Sequence, residues 1–200
     1  MTNNSDIHDH TEGLLLIGDI LPLEEAEREA DDLDLASVEG IASPARRRER
    51  LSWRILLRRY AQCPIEVEYS ENGAPQIRNL HYPHISVSHC HDKVAVVLSH
   101  RPCCVDIESL NRNFAKVASR FMSQEELQMA CDTTTMAAVW SGKESLYKLY
   151  GQQGLDLRRD IHITKVDFEQ GIVEGSILSD VTIRLRMALP DDEHIVVYCI

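Results

Sequence analysis

This chain has 200 residues, and the order of its strand-like and helical segments most constrains how it can fold. In each half, strand-like runs, helical patterns and further strand-like runs follow one another, which predicts an α+β fold. Arg101-Pro102 interrupts the chain, so we expect an N-terminal half at 1–101 and a C-terminal half at 102–200. The predicted strands are 13–20, 65–69, a short one near Ile77, 84–89, 93–98, 103–108, 161–166, 172–178, 181–187 and 195–199, and the predicted helices are 22–33, 44–62, 113–121, 123–131 and 134–150.

Local signals support several of these elements. Pro22 suits the first turn of an acidic helix that extends to Leu33, and Ser43-Pro44 is a good start for the next helix. Glu71-Asn72-Gly73 predicts a turn between two short strands. Along the helix at 44–62, four apolar residues recur at helical spacing and are expected in the core: Trp53, Leu56, Leu57 and Tyr60.

Charge is distributed unevenly along the chain. The net charge of −11 argues against a general nucleic-acid binder, because phosphate backbones need basic surfaces. Residues 24–34 are strongly acidic, whereas 46–59 carry seven arginines, which suggests one specific anionic ligand. The arginines are Arg46, Arg47, Arg48, Arg50, Arg54, Arg58 and Arg59.

The compartment is inferred from what the sequence lacks. No apolar run approaches the ~20 residues needed to span a bilayer, and the N-terminal residues do not resemble a signal peptide. We therefore expect a cytoplasmic protein without a membrane partner. Six cysteines at scattered spacings, none in a CxxC pair, are expected to be free thiols: Cys63, Cys90, Cys103, Cys104, Cys131 and Cys199.

The first candidate for chemistry is Asp106-Ile107-Glu108. Alternation along a strand places both carboxylates on one face and Ile107 on the other. Neighbouring carboxylates at a strand end suit Mg²⁺, which takes oxygen ligands, waters and substrate phosphates. By itself the pattern fits a solvated strand face at least as well.

Two further groups of residues are candidates for chemistry. On the helix at 134–150, Trp140, Glu144 and Lys148 are four apart and share a face. An amphipathic helix with a Glu–Lys pair is a sufficient explanation of that spacing. Ser88-His89 ends a strand, where a histidine usually has a structural role unless it faces a phosphate.

The motifs together resemble those of the 4′-phosphopantetheinyl transferases, specifically the larger single-chain type that activates peptide and polyketide synthetases. VDIE is similar to the family's G-[IV]-D-[IV]-E strand, RFMSQEE to R-F-[FL]-S-x-x-E, and WSGKESLYK to W-[ST]-x-K-E-[AS]-x-x-K. Upstream, ENGAP and ISVSHC resemble the G-K-P and I-S-x-S-H elements, and ARRRERLSWRILL resembles the basic helix. The resemblance covers roughly residues 43–157.

The resemblance implies two similar α/β halves related by a pseudo-twofold axis, with the active site in the cleft between them. It implies transfer of 4′-phosphopantetheine from coenzyme A to a serine of an apo acyl or peptidyl carrier protein, with release of 3′,5′-ADP, by a monomer. Mg²⁺, or Mn²⁺ in its place, would be held by Asp106, Glu108 and Glu144. Glu144 and Lys148 would be catalytic, and the residues that bind coenzyme A would be Arg47, Arg54, Ser88, His89 and Lys148.

Two departures from the family pattern keep alternatives open. Cys104 replaces the glycine before the Val-Asp-Ile-Glu strand, and Ala74 replaces the lysine of G-K-P. A homologue that binds coenzyme A or a carrier without transfer is one alternative. Another metal-dependent phosphoryl enzyme, such as a nuclease, is the second.

Arg112, Lys116 and Arg120 are the expected basic surface for an acidic carrier.

Overall fold

The computed structural model describes residues 6–10, 12–70, 73–178 and 181–200, and of residues 6–10 the backbone alone. These residues form the predicted α+β fold and divide into two compact units. Unit 1 is Met1–Pro102 with Ile200, and unit 2 is Cys103–Cys199. Most of the predicted turn at Glu71-Asn72-Gly73 lies outside the described residues, and the pseudo-twofold relation stays a prediction. Within the described ranges, no helix combines the length and the apolar character needed to cross a bilayer.

Unit 1 is built on an antiparallel sheet in the order β1-β2-β6-β5. Helix α3 packs on β2 and β6, and β3 and β4 form a separate two-stranded sheet. The elements are β1 Asp6–His10, β2 Gly13–Asp19, α1 Leu23–Glu29, α2 Asp32–Ser37, α3 Pro44–Ala61, β3 Val67–Tyr69, β4 Pro75–Ile77, β5 His84–His89 and β6 Lys93–Ser99.

Helix α3 has the start and end that its sequence predicts. The Ser43 hydroxyl accepts a hydrogen bond from the Arg46 amide, Pro44 occupies the first turn, and Gln62 ends the helix with φ of 54°. Trp53 and its apolar neighbours Leu56 and Leu57 are buried as expected. The expectation for Tyr60 was wrong, because its side chain is 39% exposed.

The predicted acidic helix from Pro22 to Leu33 is instead two short helices. Helix α1 ends at Glu29, and Asp31 starts α2 by accepting a hydrogen bond from the Asp34 amide at 2.8 Å. The Asp34 carboxylate bonds back to the Asp31 amide, which completes a capping box. The Asp31 carboxylate thus bonds to the backbone so that a new helix starts, and the first helix does not continue. The spacing of the apolar residues does not predict this interruption.

Unit 2 is a five-stranded antiparallel sheet in the order β7-β11-β10-β9-β8, covered by α6. The predicted helix at 113–121 contracts to its last four residues, Ala118–Phe121. The elements are β7 Cys104–Ser109, α4 Ala118–Phe121, α5 Gln124–Met129, α6 Thr133–Tyr150, β8 Ile161–Asp167, β9 Ile172–Ile177, β10 Ile183–Asp191 and β11 His194–Cys199.

Gly142 brings helix α6 close to the sheet. A Cβ atom at this position would lie 2.9 Å from Val173 Cγ1 and 3.0 Å from Ile163 Cδ1, on β9 and β8. A larger side chain would therefore push α6 away from the sheet. Because Glu144 and Lys148 belong to the same helix, this close packing also fixes their distance from the strands.

Candidate functional site in unit 2

Strand β7 presents two carboxylates. Asp106 is 6% exposed and Glu108 is partly buried, while Ile107 between them is buried on the other face of the strand. β7 pairs with β11 in antiparallel register, with Asp106 opposite Val197 and Glu108 opposite Ile195. The two carboxylates therefore share one face of a rigid sheet, as strand alternation predicts.

Helix α6 brings the other residues of the predicted set to β7. It begins at the Asp132 cap, ends at Gly151 with φ of 69°, and packs against β7 along its length. The Lys148 ammonium donates to Asp106 Oδ1 at 2.9 Å and to the Val105 carbonyl at 2.8 Å. Lys148 thus joins the C-terminal half of α6 to the strand that carries the carboxylates.

The three carboxylates are close enough to influence one another. Burial, and then the charge of Asp106, raise the pKa of Glu108 to about 7; Arg112 and a hydrogen bond from the Trp140 indole oppose the shift. Burial and the charge of Asp106 also raise the pKa of Glu144, against Lys148 and Arg112. The structure therefore groups Asp106, Glu108 and Glu144 into one anionic cluster.

Arg112 is a cationic residue that lies beside the three carboxylates. Its guanidinium forms an ion pair with Glu108, and it lies 4.5 Å from the ring centre of Trp140 and 5.0 Å from that of Phe114. Arg112 is exposed despite this ion pair, so its expected place on a carrier-binding surface stays a prediction. Its spacing of four residues from Glu108, beside an aromatic residue, was the available signal.

The composition of the cluster fits a divalent cation. Three carboxylates supply only oxygen donors, which Mg²⁺ and Mn²⁺ prefer, and two cationic side chains offset only part of their charge. Burial, and then repulsion by Asp106, raise the pKa values of Glu108 and Glu144, so a doubly charged ion here would stabilise their charged forms.

Comparison with known families identifies the domain that carries this cluster. The sequence model described as 4′-phosphopantetheinyl transferase superfamily matches residues 102–195. Unit 2 carries a 4′-phosphopantetheinyl transferase superfamily domain. The matched range includes all three carboxylates, Lys148 and Arg112. No curated protein matched the chain.

Lys143 has a structural role in the transferase domain, although it is adjacent to Glu144. Its ammonium is fully buried, pairs with Glu126 at 2.8 Å and donates to the carbonyls of Leu157 and Ile161. Glu126 also accepts from the Ile163 amide at 2.7 Å. Burial lowers the pKa of Lys143, and the charge of Glu126 opposes this. The two motifs RFMSQEE and WSGKESLYK thus meet through a buried ion pair.

The arginine helix α3 of unit 1, outside the transferase domain match, is largely neutralised by the acidic segment. Four of its arginines pair with carboxylates of residues 27–34, which are the contacts Arg47–Glu27, Arg54–Asp34, Arg58–Asp31 with Asp34, and Arg59–Glu29. The dense basic patch read from the sequence is therefore mostly internal to unit 1.

Arg47 and Arg54, the two arginines expected to contact a nucleotide, both take part in these ion pairs. Arg54 is 2% exposed, and its guanidinium bonds Asp34 at 2.9 Å and the Ile65 carbonyl at 3.0 Å. Arg47 bonds Glu27 and the Val38 carbonyl. These bonds give Arg54 a role inside the fold, and contact of either arginine with a nucleotide stays a prediction.

A cavity of about 940 Å³ in unit 1 contains other basic residues of the same helix. Among the described residues, neither Arg46 nor Arg50 forms an ion pair, and both line this cavity; Arg50 also lies over the Tyr69 ring at 4.8 Å. His89 lines the cavity too, 3.5 Å from Glu49. Ser88 is buried and does not line it, because adjacent residues of β5 point to opposite faces.

Proposed function

We propose that this protein transfers 4′-phosphopantetheine from coenzyme A to a serine hydroxyl of an apo acyl or peptidyl carrier protein and releases 3′,5′-ADP. The observation that carries the proposal is the anionic cluster of Asp106, Glu108 and Glu144 with Lys148 bonded to Asp106, inside the transferase domain. Phosphoryl transfer is catalysed chiefly by positioning and charge neutralisation, for which such a cluster is suited.

The three carboxylates are proposed to hold Mg²⁺, or Mn²⁺ in its place. When bound, the ion would neutralise the pyrophosphate of coenzyme A and the charge that develops on it. Strand β7 and helix α6 hold the carboxylates on regular, buried elements, so their positions change little on loading. This rigidity limits the reorganisation that substrate binding requires.

Lys148 is proposed to bind a phosphate oxygen. An ammonium has three N–H donors, and two of them are directed to Val105 and Asp106. The third is available to a pyrophosphate oxygen, with the first two holding the side chain in place. The resulting charge-assisted hydrogen bond would strengthen as the leaving 3′,5′-ADP gains negative charge.

Glu144 is the proposed proton acceptor. Its carboxylate lies in the same cluster as Asp106 and Lys148, and a carboxylate within hydrogen-bond reach of a hydroxyl can accept its proton. The serine oxygen forms the new bond to the β-phosphorus as the bond from that phosphorus to the 3′,5′-ADP oxygen breaks. The serine proton passes to a carboxylate oxygen of Glu144, directly or through one water.

For unit 1, we propose that the cavity beside α3 binds the 3′-phosphate end of coenzyme A. Arg46, Arg50 and His89 line it, and guanidinium groups suit phosphate oxygens. Arg46→Gln should weaken binding of coenzyme A more than binding of 3′-dephospho-coenzyme A. Arg101→Gln, which removes an exposed pair with Glu12 elsewhere in unit 1, is the matched control.

The decisive experiment uses the full chain with coenzyme A, MgCl₂ and a panel of apo-carrier proteins. Intact-mass spectrometry should show a carrier that gains one phosphopantetheine arm, and the same carrier with its serine replaced by alanine should gain nothing. Chelator and Glu144→Gln should each abolish the gain. Binding of coenzyme A without transfer to any carrier would instead support the non-catalytic homologue, and absence of binding would contradict both.

A further inference from the structure

Two cysteines face each other across the first pair of strands in the unit 2 sheet. Cys104 starts β7 and Cys199 ends β11, and the two are direct partners in the antiparallel register. The two thiols influence each other, because the pKa of Cys199 is lowered by Cys104 and that of Cys104 is raised by Cys199. Cys104 is fully buried, and Cys199 is partly exposed. The protein therefore has one protected and one accessible thiol in contact.

The strand register brings these thiols within reach of a covalent bond. Directly opposed residues of an antiparallel pair have Cα atoms about 4.5–5.5 Å apart, within the range of about 4.4–6.8 Å that disulfides span. A bond between them needs only a small approach of two strand ends. The pair lies at the end of the β7–β11 ladder, where the backbone can adjust most easily.

We propose that Cys104 and Cys199 are a thiol-modification site that closes to a cross-strand disulfide when the protein meets a low-molecular-weight disulfide such as oxidised glutathione. The bond links β11 to the start of the strand that carries Asp106. This inference rests on the proposed function for its effects on Mg²⁺ binding and transfer, whereas formation of the disulfide is independent of both.

The difference in exposure sets the order of the reaction. Cys199 attacks one sulfur of oxidised glutathione, forming a mixed disulfide and releasing one glutathione thiol. The sulfur of Cys104 then attacks Cys199 Sγ, which breaks the mixed disulfide and releases the second glutathione thiol. Two protein thiols are oxidised to one disulfide, and one small-molecule disulfide is reduced to two thiols.

The surroundings of Cys199 favour it as the attacking residue. The hydrogen bond from Cys104 lowers the pKa of the Cys199 thiol, and the charge of Arg186 acts in the same direction against burial. A nearby cationic group is typical of cysteines that react. Cys103 is also close to Cys199, but the residue directly opposite Cys199 in the strand register is Cys104.

The consequence for the proposed active site follows from the next residue of β7. Lys148 donates to the carbonyl of Val105 and to the carboxylate of Asp106. Pulling Cys104 toward β11 shifts the Val105 peptide and with it the anchor of Lys148. The disulfide form should therefore bind Mg²⁺ less well and transfer more slowly.

The test incubates the full chain with buffers of defined ratios of reduced to oxidised glutathione. Non-reducing peptide mapping should show a peptide that contains the Cys104–Cys199 bond, with a loss of two hydrogens from the intact mass. Mg²⁺ binding by calorimetry should weaken severalfold in that form and return after dithiothreitol. Cys199→Ser should abolish both changes, and Cys131→Ser, at an exposed cysteine outside the pair, should abolish neither.

Three results would overturn the inference. One is a stable glutathione adduct on Cys199 that never resolves to the disulfide. Another is no modification of the pair while Cys131 reacts. The third is a quantitative Cys104–Cys199 bond with unchanged Mg²⁺ binding, which would remove the effect on the site. If the reduced protein neither binds Mg²⁺ nor transfers, the peptide map and intact mass still decide whether the disulfide forms.

Discussion

The Lys148 ammonium lies 2.9 Å from Asp106 Oδ1, so the last turns of helix α6 and the middle of strand β7 are tied by one ion pair. The side chain of Asp106 is almost fully buried, whereas that of Lys148 is 29% exposed. Asp106 is therefore held in place by the sheet, whereas the more exposed ammonium of Lys148 can contact a ligand.

Replacing Lys148 should affect turnover more than stability. We expect Lys148→Met to lower kcat by about 10²–10³-fold, the range found when one donor to a developing charge is removed. Lys148→Arg should recover part of this loss because it restores the charge. Steady-state kinetics with circular dichroism melts would check it; Lys165→Met, an exposed lysine paired with Asp167, is the control. Unchanged kcat in Lys148→Met would contradict the assignment.

The carboxylates should be dispensable for folding and required for metal binding. Burial and Asp106 disfavour the charged form of Glu144, so Glu144→Gln removes an unfavourable charge from the metal-free protein. We expect its melting temperature in chelator to equal or exceed that of the wild type, while Mg²⁺ no longer raises it. Differential scanning calorimetry with and without MgCl₂ measures both. A lower melting temperature in chelator would instead give Glu144 a structural role.

The pH dependence of metal binding follows from Glu108. Its pKa is raised from 4.5 to about 7, so between these values the folded, metal-free protein binds more protons than the unfolded chain. Stability without metal should therefore fall as pH rises through this window. Mg²⁺ needs the carboxylate form, so its affinity should rise with pH by up to about tenfold per pH unit and level off above pH 7.

Calorimetric titrations from pH 5.5 to 8 in buffers of different ionisation enthalpy would count the protons released. The count should fall toward zero at the alkaline end, and Glu108→Gln should remove most of the pH dependence of whatever binding remains. A pH-independent affinity in the wild type would show that Glu108 is already ionised at pH 5.5.

The buried pair of Lys143 and Glu126 should be costly to break. Lys143→Met leaves a buried carboxylate without its cation, for which a loss of about 3–5 kcal/mol is expected. The double variant with Glu126→Gln should recover much of this loss. Urea unfolding gives the free energies. The exposed pair of Arg184 and Glu174 provides the comparison, because Arg184→Met should cost no more than about 1 kcal/mol.

The proposed catalytic residues all lie within one unit of one chain, which predicts a protein active as a monomer. Asp106, Glu108, Glu144 and Lys148 belong to unit 2. Sedimentation velocity should give one species with the mass of a single chain, 22.7 kDa. Specific activity should be constant on dilution. Activity that falls with dilution alongside a dimer would require a second chain at the site.

The sequence predicted the elements of the site better than their surroundings. Strand alternation and helical spacing were sufficient to place Asp106 with Glu108 on one strand face and Glu144 with Lys148 on one helix face, since those rules act within one segment. The resemblance to a family, now supported by the matched domain, supplied their chemistry. Their burial and raised pKa values depend on packing between segments, which periodicity does not describe.

The arginines of α3 show the limit most clearly. Arg47, Arg50, Arg54 and Arg58 follow one stripe of the helix, and nothing in that spacing says which of them is neutralised. Which arginines are neutralised depends on where the acidic segment contacts α3. This tertiary contact joins residues that are separated in the sequence. Arg54 thus pairs with a buried carboxylate, whereas Arg46 and Arg50 line the cavity of unit 1.

The same ion pairs determine how unit 1 holds its peripheral helices. Helices α1 and α2 contain seven and six residues, fewer than an isolated helix needs to persist in water. Asp34 is fully buried and binds both Arg54 and Arg58, so α2 has its main attachment in side chains of α3. Residues 23–37 and α3 consequently form one cooperative folding unit: the short helices cannot open one by one without exposing an arginine that has lost its counterion.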